Sequence, residues 1–587
     1  MRLMPWIIVS LSAWLLACGQ DEPDRTADPE SSGNATVNPV SKARLDFHDE
    51  TLARGLDFRH DASMTGKRWM PEHIGGGGAL FDADGDGDLD ALFINGGPLP
   101  GSESLKENAL YVNGGRGHFK RLADIGDLSA GADFGVGCAV ADIDLDGDLD
   151  VFVTNWGEDR LYLNDGKGRF ERALKSGITT TLWGSSAAFG DLNGDGLPDL
   201  YVVNYVAYDL AKHDPCYQRD IEIYCGPQPF AGQPDTLYLN LGGGRFKDIT
   251  AQAFPGGAPN GKGLGVAMGD VDQDGDLDIY VANDQTPNFL FLNDGKARFE
   301  EFGILANVAV SKDGVNEAGM GIALADYDND LREDIVVTNF ENQTNAVYHA
   351  EGDLFWMEVS WESGIGYQSR PYLGWGTGLI DFDHDGLKDL FFANGHVYDN
   401  AERVNPSSTW AQKNKLHLNL GDGRFAPDAE LEAMSRPQVS RGAYFGDVDQ
   451  DGDMDILVCN LNDAPRLLIN QRAGAVGGHW ALVDAVHQTA RTPIPGARIV
   501  ITAGRTSQVQ CVQGGYSIFG HSDYRAHFGL GGHATIDRLE VRWPQGGTDR
   551  YEALPADRKL VVDPRGKLLV VDLVSNKVLE TRQALGR

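Results

Sequence analysis

Residues Asp82 to Asp90 read DADGDGDLD, which puts side-chain oxygens at the first, third, fifth and ninth positions of the string and Gly87 at the sixth. Carboxylates held this close repel one another unless a divalent ion lies between them. The donor set suits calcium, a hard cation that takes about six to eight oxygens from carboxylates, a backbone carbonyl and water. Glycine at the sixth position allows the sharp turn that such a loop makes.

The string returns at Asp142 (DIDLDGDLD), Asp191 (DLNGDGLPD), Asp270 (DVDQDGDLD), Asp326 (DYDNDLRED), Asp381 (DFDHDGLKD) and Asp447 (DVDQDGDMD). In the first copy the side-chain ligands are Asp82, Asp84, Asp86 and Asp90, with the carbonyl of Asp88 at position seven. The second copy offers Asp142, Asp144, Asp146, Asp150 and the Asp148 carbonyl. The third offers Asp191, Asn193, Asp195, Asp199 and the Leu197 carbonyl. The fourth has Asp270, Asp272, Asp274, Asp278 and the Asp276 carbonyl, and the fifth Asp326, Asp328, Asp330, Asp334 and the Arg332 carbonyl. The sixth has Asp381, Asp383, Asp385, Asp389 and the Leu387 carbonyl, and the seventh Asp447, Asp449, Asp451, Asp455 and the Asp453 carbonyl. Only Asn193 exchanges a carboxylate for an amide. The fifth copy has Leu331 where the others have glycine, and a branched residue resists the left-handed backbone of a tight turn, so its site is expected to be the weakest of up to seven.

Apolar runs flank every copy, such as GGGALF before and LFING after the first, so each string is a hairpin between two short strands. A second hairpin signal follows in most units: LYVNGGRGHF, LYLNDGKGRF, LYLNLGGGRF, FLFLNDGKARF and LHLNLGDGRF. The fifth unit (VYHAEGDLF) loses the asparagine, and the seventh (LLINQR) is truncated. Four strands per unit, repeated seven times, predict a seven-bladed β-propeller over residues 45–475. A β-helix repeats its calcium motif at a far shorter period, and an EF-hand needs flanking helices and a glutamate at position twelve. An asparagine also lies five residues after the last acid of each loop (Asn95, Asn155, Asn204, Asn283, Asn339, Asn394, Asn460), placed to bond nearby backbone at a strand end.

The 587 residues carry 86 acids against 50 bases, a net charge of −36, and the loop acids account for three quarters of that excess. Such a polyanion is a poor partner for nucleic acid. At the N-terminus, Arg2, the apolar run Met4–Ala17 and Leu15-Leu16-Ala17-Cys18 read as a signal peptide over 1–18, too short for a membrane span. Cys18 resembles the acylated cysteine of a bacterial lipoprotein, and an ordinary signal peptide with an incidental cysteine is the alternative. Residues 19–44 are polar and read as a flexible tether. Cys216 and Cys225 are expected to form a disulfide, while Cys138 and Cys459 fall in apolar strands.

With the acidic hairpins on one face of the propeller, the long connections fall on the other. Tyr205–Pro234 brings Tyr208, Tyr217, Tyr224 and Phe230. The insertion after the sixth loop brings His396, Tyr398 and Trp410, with Trp156, Trp183 and Trp375 nearby. Exposed aromatics suit sugars or protein partners; the alternative is that they pack the insertions onto the scaffold. Gly75–Gly78 lacks the helix and lysine of a phosphate loop.

After Arg472 the repeats stop, and residues 476–563 read as a small β domain followed by an extension, 564–587. Its PGARIVI and GGYSIFGHSDYRAHFGLGGHATIDRLEVRWPQGG resemble the ASPIC/UnbV domain of the cartilage acidic protein family. The acidic loops resemble that family's FG-GAP/VCBS repeats, a type that also builds integrin α propellers, and LDFRHDASMTGKRWMPEHIGGGGALF, YLGWGTGLIDFDHDG and FFANGHVYDN fit as well. The resemblance implies an exported or surface calcium-binding protein. Adhesive or matrix roles are implied by the animal relatives; an RNA-binding label carried by some relatives conflicts with the charge. In the C-terminal domain Arg498, Arg525, His527, Arg542 and Trp543 are candidates for a small polar site; the alternative for Arg542 and Trp543 is that they stack on a strand as core-edge structure. The expected function is a calcium-binding, lipid-anchored surface module for a glycan, polymer or protein, on the bacterial outer membrane or cell surface. Alternatives are an exported carbohydrate-active hydrolase or lyase and an envelope assembly component.

Overall fold

A computed structural model describes residues 45–102, 107–129, 134–472 and 478–585; Cys18 and the tether lie outside the described residues. The chain is mostly β, and four-stranded antiparallel sheets dominate. Each acidic string joins the first two strands of such a sheet. In the first unit these are Gly78–Phe81 and Asp90–Phe93, followed by Ala109–Asn113 and Phe119–Arg121. The second to fifth units repeat the order, and the sixth keeps three strands: Gly374–Ile380, Asp389–Asn394 and Lys415–His417.

The seventh unit looks truncated in sequence because its outer strand comes from the other end of the repeats. Phe47–Asp49, which precedes the first repeat, pairs antiparallel with Arg466–Asn470 and completes the sheet of the last. The first strand of each unit packs on the first strand of the next, and that of unit seven on that of unit one. Alternating small and branched residues allow this. Ala79, Phe81, Val140 and Val151 share one inter-sheet core, and Val266, Met268, Tyr201 and Val203 another.

The C-terminal domain is two sheets around one apolar core. One runs Ala526–Gly531, His479–Ala485, Arg558–Asp563, Lys567–Asp572 and Lys577–Gln583; the other holds Thr506–Cys511, Arg498–Ala503, Thr535–Arg542 and Thr548–Pro555. Leu568 and Val570 are buried in that core, so the sheet continues beyond residue 563.

One segment leaves this domain and enters the space between the first strands of the repeats. Gly520–His521 adds to the unit-one sheet in parallel with Gly78–Ala79. Ser517 exchanges backbone hydrogen bonds with Ile322 of unit five, and the Phe519 carbonyl accepts from the Cys138 amide of unit two. The Tyr444 hydroxyl of unit seven donates to the Ile518 carbonyl, and Ser186 of unit three accepts from the Phe519 amide. The glycine run of unit one is explained here: a Cβ on Gly77 would stand 2.3 Å from the Phe519 carbonyl oxygen and 2.5 Å from that of Val136. Only a bare backbone fits.

Candidate metal centres

The seven acidic loops share one hydrogen-bond scaffold. The position-one aspartate accepts from the amide of position six in every copy, from Gly87 to Asp82 (3.0 Å) through to Gly452 to Asp447 (2.9 Å). The position-five acid accepts from the amide of position seven in every copy: Asp88, Asp148, Leu197, Asp276, Arg332, Leu387 and Asp453 all donate in this way. The position-nine acid is buried and accepts from the position-two amide, as Asp90 does from Ala83 at 2.8 Å. These bonds curl the carboxylates inward around a common point.

What these bonds leave unsatisfied points to a cation. Buried oxygens of Asp84, Asp142, Asp144, Asp328, Asp381 and Asp449 have no hydrogen-bond partner, all at position one or three. Carboxylate oxygens converge to within 4.8 Å in Asp82/Asp84/Asp90, Asp142/Asp144/Asp146, Asp270/Asp272/Asp274 and Asp326/Asp328/Asp334, among others. Burial, reinforced by neighbouring acids, holds the Asp90, Asp150 and Asp199 carboxyls up at about 8 and that of Asp278 at about 9. A bound cation would satisfy the orphaned oxygens and offset this repulsion, so these Asp clusters are able to hold metal ions.

The fifth loop departs further than its sequence suggested. Leu331 does enter the left-handed region, at φ 70°, where the other loops use glycine. His349 reaches in from the third strand, 3.2 Å from Asp334 and 3.6 Å from Asp328, and its hydrogen bond to Asp334 raises its pKa to about 9. Arg332 pairs with Asp330. Arg332 and His349 therefore both engage the acids of this loop, and His349 with Asp328 and Asp330 forms a further group able to hold an ion. His349 was not foreseen, because it lies outside the nine-residue string.

A second feature missed in sequence is the asparagine of the LYLN-type hairpins. Asn164 in unit two donates to the carbonyl of Leu149 in its own loop (3.0 Å) and to that of Ala83 in the loop of unit one (2.9 Å). Asn240, Asn293 and Asn419 do the same, each bridging its own loop to the preceding one, and Asn113 reaches Val448 of unit seven. Unit five has Ala350 at this position, and there the Trp356 indole donates to Glu333 instead. The other asparagine series bonds backbone as expected, and it spans each connection whatever its length: Asn283 donates to Pro287 and Asn204 to Pro234.

The C-terminal domain lies against the loops. Thr492 donates to Asp142 (2.6 Å), Gln545 to Asp191 (3.1 Å), Arg498 to the Leu331 carbonyl (2.9 Å) and Arg542 to the carbonyl of Gln273 (3.1 Å). His527 contacts the Gly452 carbonyl at 3.1 Å, and Gly531 donates to His384. The expected polar site of Arg498, Arg525, His527, Arg542 and Trp543 is therefore corrected. These residues are spread over different loops, Arg525 pairs with Asp523, and Trp543 donates to Asp549. Arg498, His527 and Arg542 sit on three different strands and meet three different loops, a dispersal that one-dimensional spacing does not show.

On the opposite face most of the candidate aromatics are scaffold. Trp183, Trp375, Tyr205 and Tyr208 are buried in one cluster with Phe519, Tyr224 is buried with its hydroxyl on Glu72, and of these aromatics only Tyr217 stands well exposed. Cys216 and Cys225 are joined by a disulfide that closes the Tyr205–Pro234 insertion. His396 pairs with Glu341 at 3.1 Å.

The FG-GAP-like repeat profile matches residues 82–153, 142–202, 219–281, 270–337 and 381–458, more than half of the chain, and that of ASPIC and UnbV matches 487–568. Cartilage acidic protein 1 of Xenopus tropicalis is 25% identical over 501 residues, 81% of this chain and 71% of the frog protein. The Homo sapiens protein is 26% identical over 439 residues, 70% of this chain and 60% of its own length, so the chain spans well short of these relatives' full length. Among solved structures, the BP39L lectin from Burkholderia pseudomallei overlays 71% of this chain and 98% of its own at 10% identity, with a TM-score of 0.41. The chain belongs to the FG-GAP-like repeat family and carries a C-terminal ASPIC and UnbV domain.

Proposed function

We propose that this chain is a seven-bladed, calcium-loaded β-propeller that serves as a binding module for a glycan, polymer or protein, exported and held at the bacterial envelope by lipid on Cys18. The closed succession of first strands and the sheet shared by both ends of the repeats support the blade count. The orphaned carboxylate oxygens of the loops support the metal, and an all-oxygen donor set favours calcium over softer ions.

The observation that carries the binding role is the asymmetry of the two faces. The C-terminal domain occupies the loop face and bonds six of the seven loops. Ligand therefore meets the opposite face, where the insertions stand around an open cavity of about 210 Å³. Calcium on the loops braces the scaffold, and the insertions make contact.

Chelation is the first test. Loops of this kind in extracellular modules bind calcium with Kd of about 0.1–1 mM, so millimolar calcium contributes roughly 0.5–1.5 kcal/mol per site. The chelated protein should melt several degrees lower, and an unchanged melting curve would remove calcium from the reading. Saturable binding on a glycan and envelope-polymer array, without turnover, supports the module; release of product would replace it with an enzyme. Fatty-acid labelling that survives Cys18→Ala would refute the anchor.

A further inference from the structure

The space enclosed by the first strands is filled from the loop side by the segment around Phe519, and it opens on the insertion face as a blind cup of about 210 Å³. Leu264, Met320 and Trp375 form its floor. They lie at the ends of the repeats remote from the acidic loops, with Trp375 resting on Phe519 at 5.9 Å. The half-buried Phe340 and Tyr398 make an aromatic wall, 6.3 Å between ring centres.

The polar side chains of the cup include one carboxylate, two carboxamides and an imidazole. Asp284 is buried and accepts from the Tyr205 hydroxyl at 2.6 Å, which fixes its orientation at the mouth. Gln285 follows it with a left-handed backbone at φ 59°, a strained conformation for a residue with a side chain, and its amide contacts that of Gln228. His73 is buried, lines the cup, and has an Nδ1 atom without a hydrogen-bond partner. Burial holds this imidazole neutral. No lysine or arginine is among the lining residues. The nearby Arg441 stacks 4.2 Å over the far side of Trp375 and gives its donors to the carbonyls of His73, Gly395 and Ser440. Lys262, close enough to Asp284 to favour its ionised form, donates to the Pro227 carbonyl at 2.8 Å. With a carboxylate at the mouth and both neighbouring cations engaged with protein carbonyls, the cup is ill suited to phosphate, sulfate or carboxylate groups. A carboxylate, two carboxamides and a neutral imidazole around an aromatic wall instead match vicinal hydroxyls on a ring with one apolar face.

We propose that the cup holds a single neutral sugar ring of a glycan, with Asp284 and Gln285 taking adjacent hydroxyls and the Phe340–Tyr398 wall packing on the apolar face of the ring. This deepens the reading of the insertion face as a binding surface and rests on it. The test uses the full chain in millimolar calcium and saturation-transfer NMR with glucose, galactose, mannose, N-acetylglucosamine and N-acetylgalactosamine, beside galactose 6-sulfate and glucuronate. At least one should bind, and Asp284→Asn should weaken it by about tenfold or more. Gln285→Gly keeps the left-handed backbone while removing the amide, so it should weaken binding with no loss of melting temperature. Sugar binding undiminished in both variants, or a preference for sulfated or uronic sugars, would overturn the proposal. If no sugar binds while an envelope polymer or protein is still retained, the cup assignment falls and the binding surface stands. If nothing on the array binds the folded protein, both fall.

Discussion

Replacing Asn164 with alanine isolates the hydrogen bonds that join one acidic loop to the next. The side chain donates to Ala83 in loop one and Leu149 in loop two, and its oxygen accepts from the Gly166 amide at 3.2 Å. The Asn164 amide bond to Asp150 is backbone and survives the substitution. Three buried or half-buried bonds at about 1 kcal/mol each give a loss of about 3 kcal/mol. For a unit running from Ala43 to Arg587, an unfolding entropy of about 2.1 cal/mol/K per residue makes this a fall of about 3 °C. Calorimetry in millimolar calcium reads the shift. A calcium titration should also show weaker binding at two of the loops, since Ala83 and Leu149 set the backbone of both. The converse substitution, Ala350→Asn, should gain only about 1 kcal/mol, because the Trp356 indole already occupies the Glu333 carbonyl. An Asn164→Ala protein that melts within a degree of the parent, with unchanged calcium binding, would refute the role assigned to these asparagines.

Leu331→Gly should relieve the left-handed strain of loop five and raise the melting temperature slightly, by no more than about 1 kcal/mol in stability; calcium binding at that loop should tighten, as titration would show. Phe519→Ala should cost about 3–5 kcal/mol, because the ring is fully buried where the first strands converge; denaturant unfolding measures it, and a neutral result would mean that the segment does not brace the repeats. Cys216→Ser combined with Cys225→Ser should release up to about 2–3 kcal/mol of constraint, confined to the Tyr205–Pro234 insertion. Proteolysis should then cut that insertion faster while the main unfolding transition stays in place.

Much of the scaffold was legible in one dimension because its signals are local. Most of the hydrogen bonds that curl Asp82 to Asp90 lie within the string itself, so nine residues carry the pattern of the loop. Cys216 and Cys225 are nine apart and close a loop within one insertion. The asparagines after the second strands were read as backbone-bonding, and they are, though the partner of Asn204 lies thirty residues on. What failed to show were contacts that reach beyond a single hairpin. The Asn164 bond to Ala83, the reach of His349 into loop five and the pairing of Phe47–Asp49 with the last repeat all join residues that sequence spacing leaves unrelated.

Sequence alone determined the repeat, the oxygen-rich loops and the change of domain after Arg472, because each rests on residue type at a fixed short spacing. Tertiary structure decided which groups are accessible. It buried Trp183 and Trp375, distributed Arg498, Arg542 and His527 over different loops, and sent Phe519 into the space between the first strands. Burial is a property of what packs above a residue, and the ring that covers Trp375 belongs to Phe519, in another domain. For that reason the loops announce the scaffold, while the cup around Asp284 and Gln285 exists only once the repeats have come together.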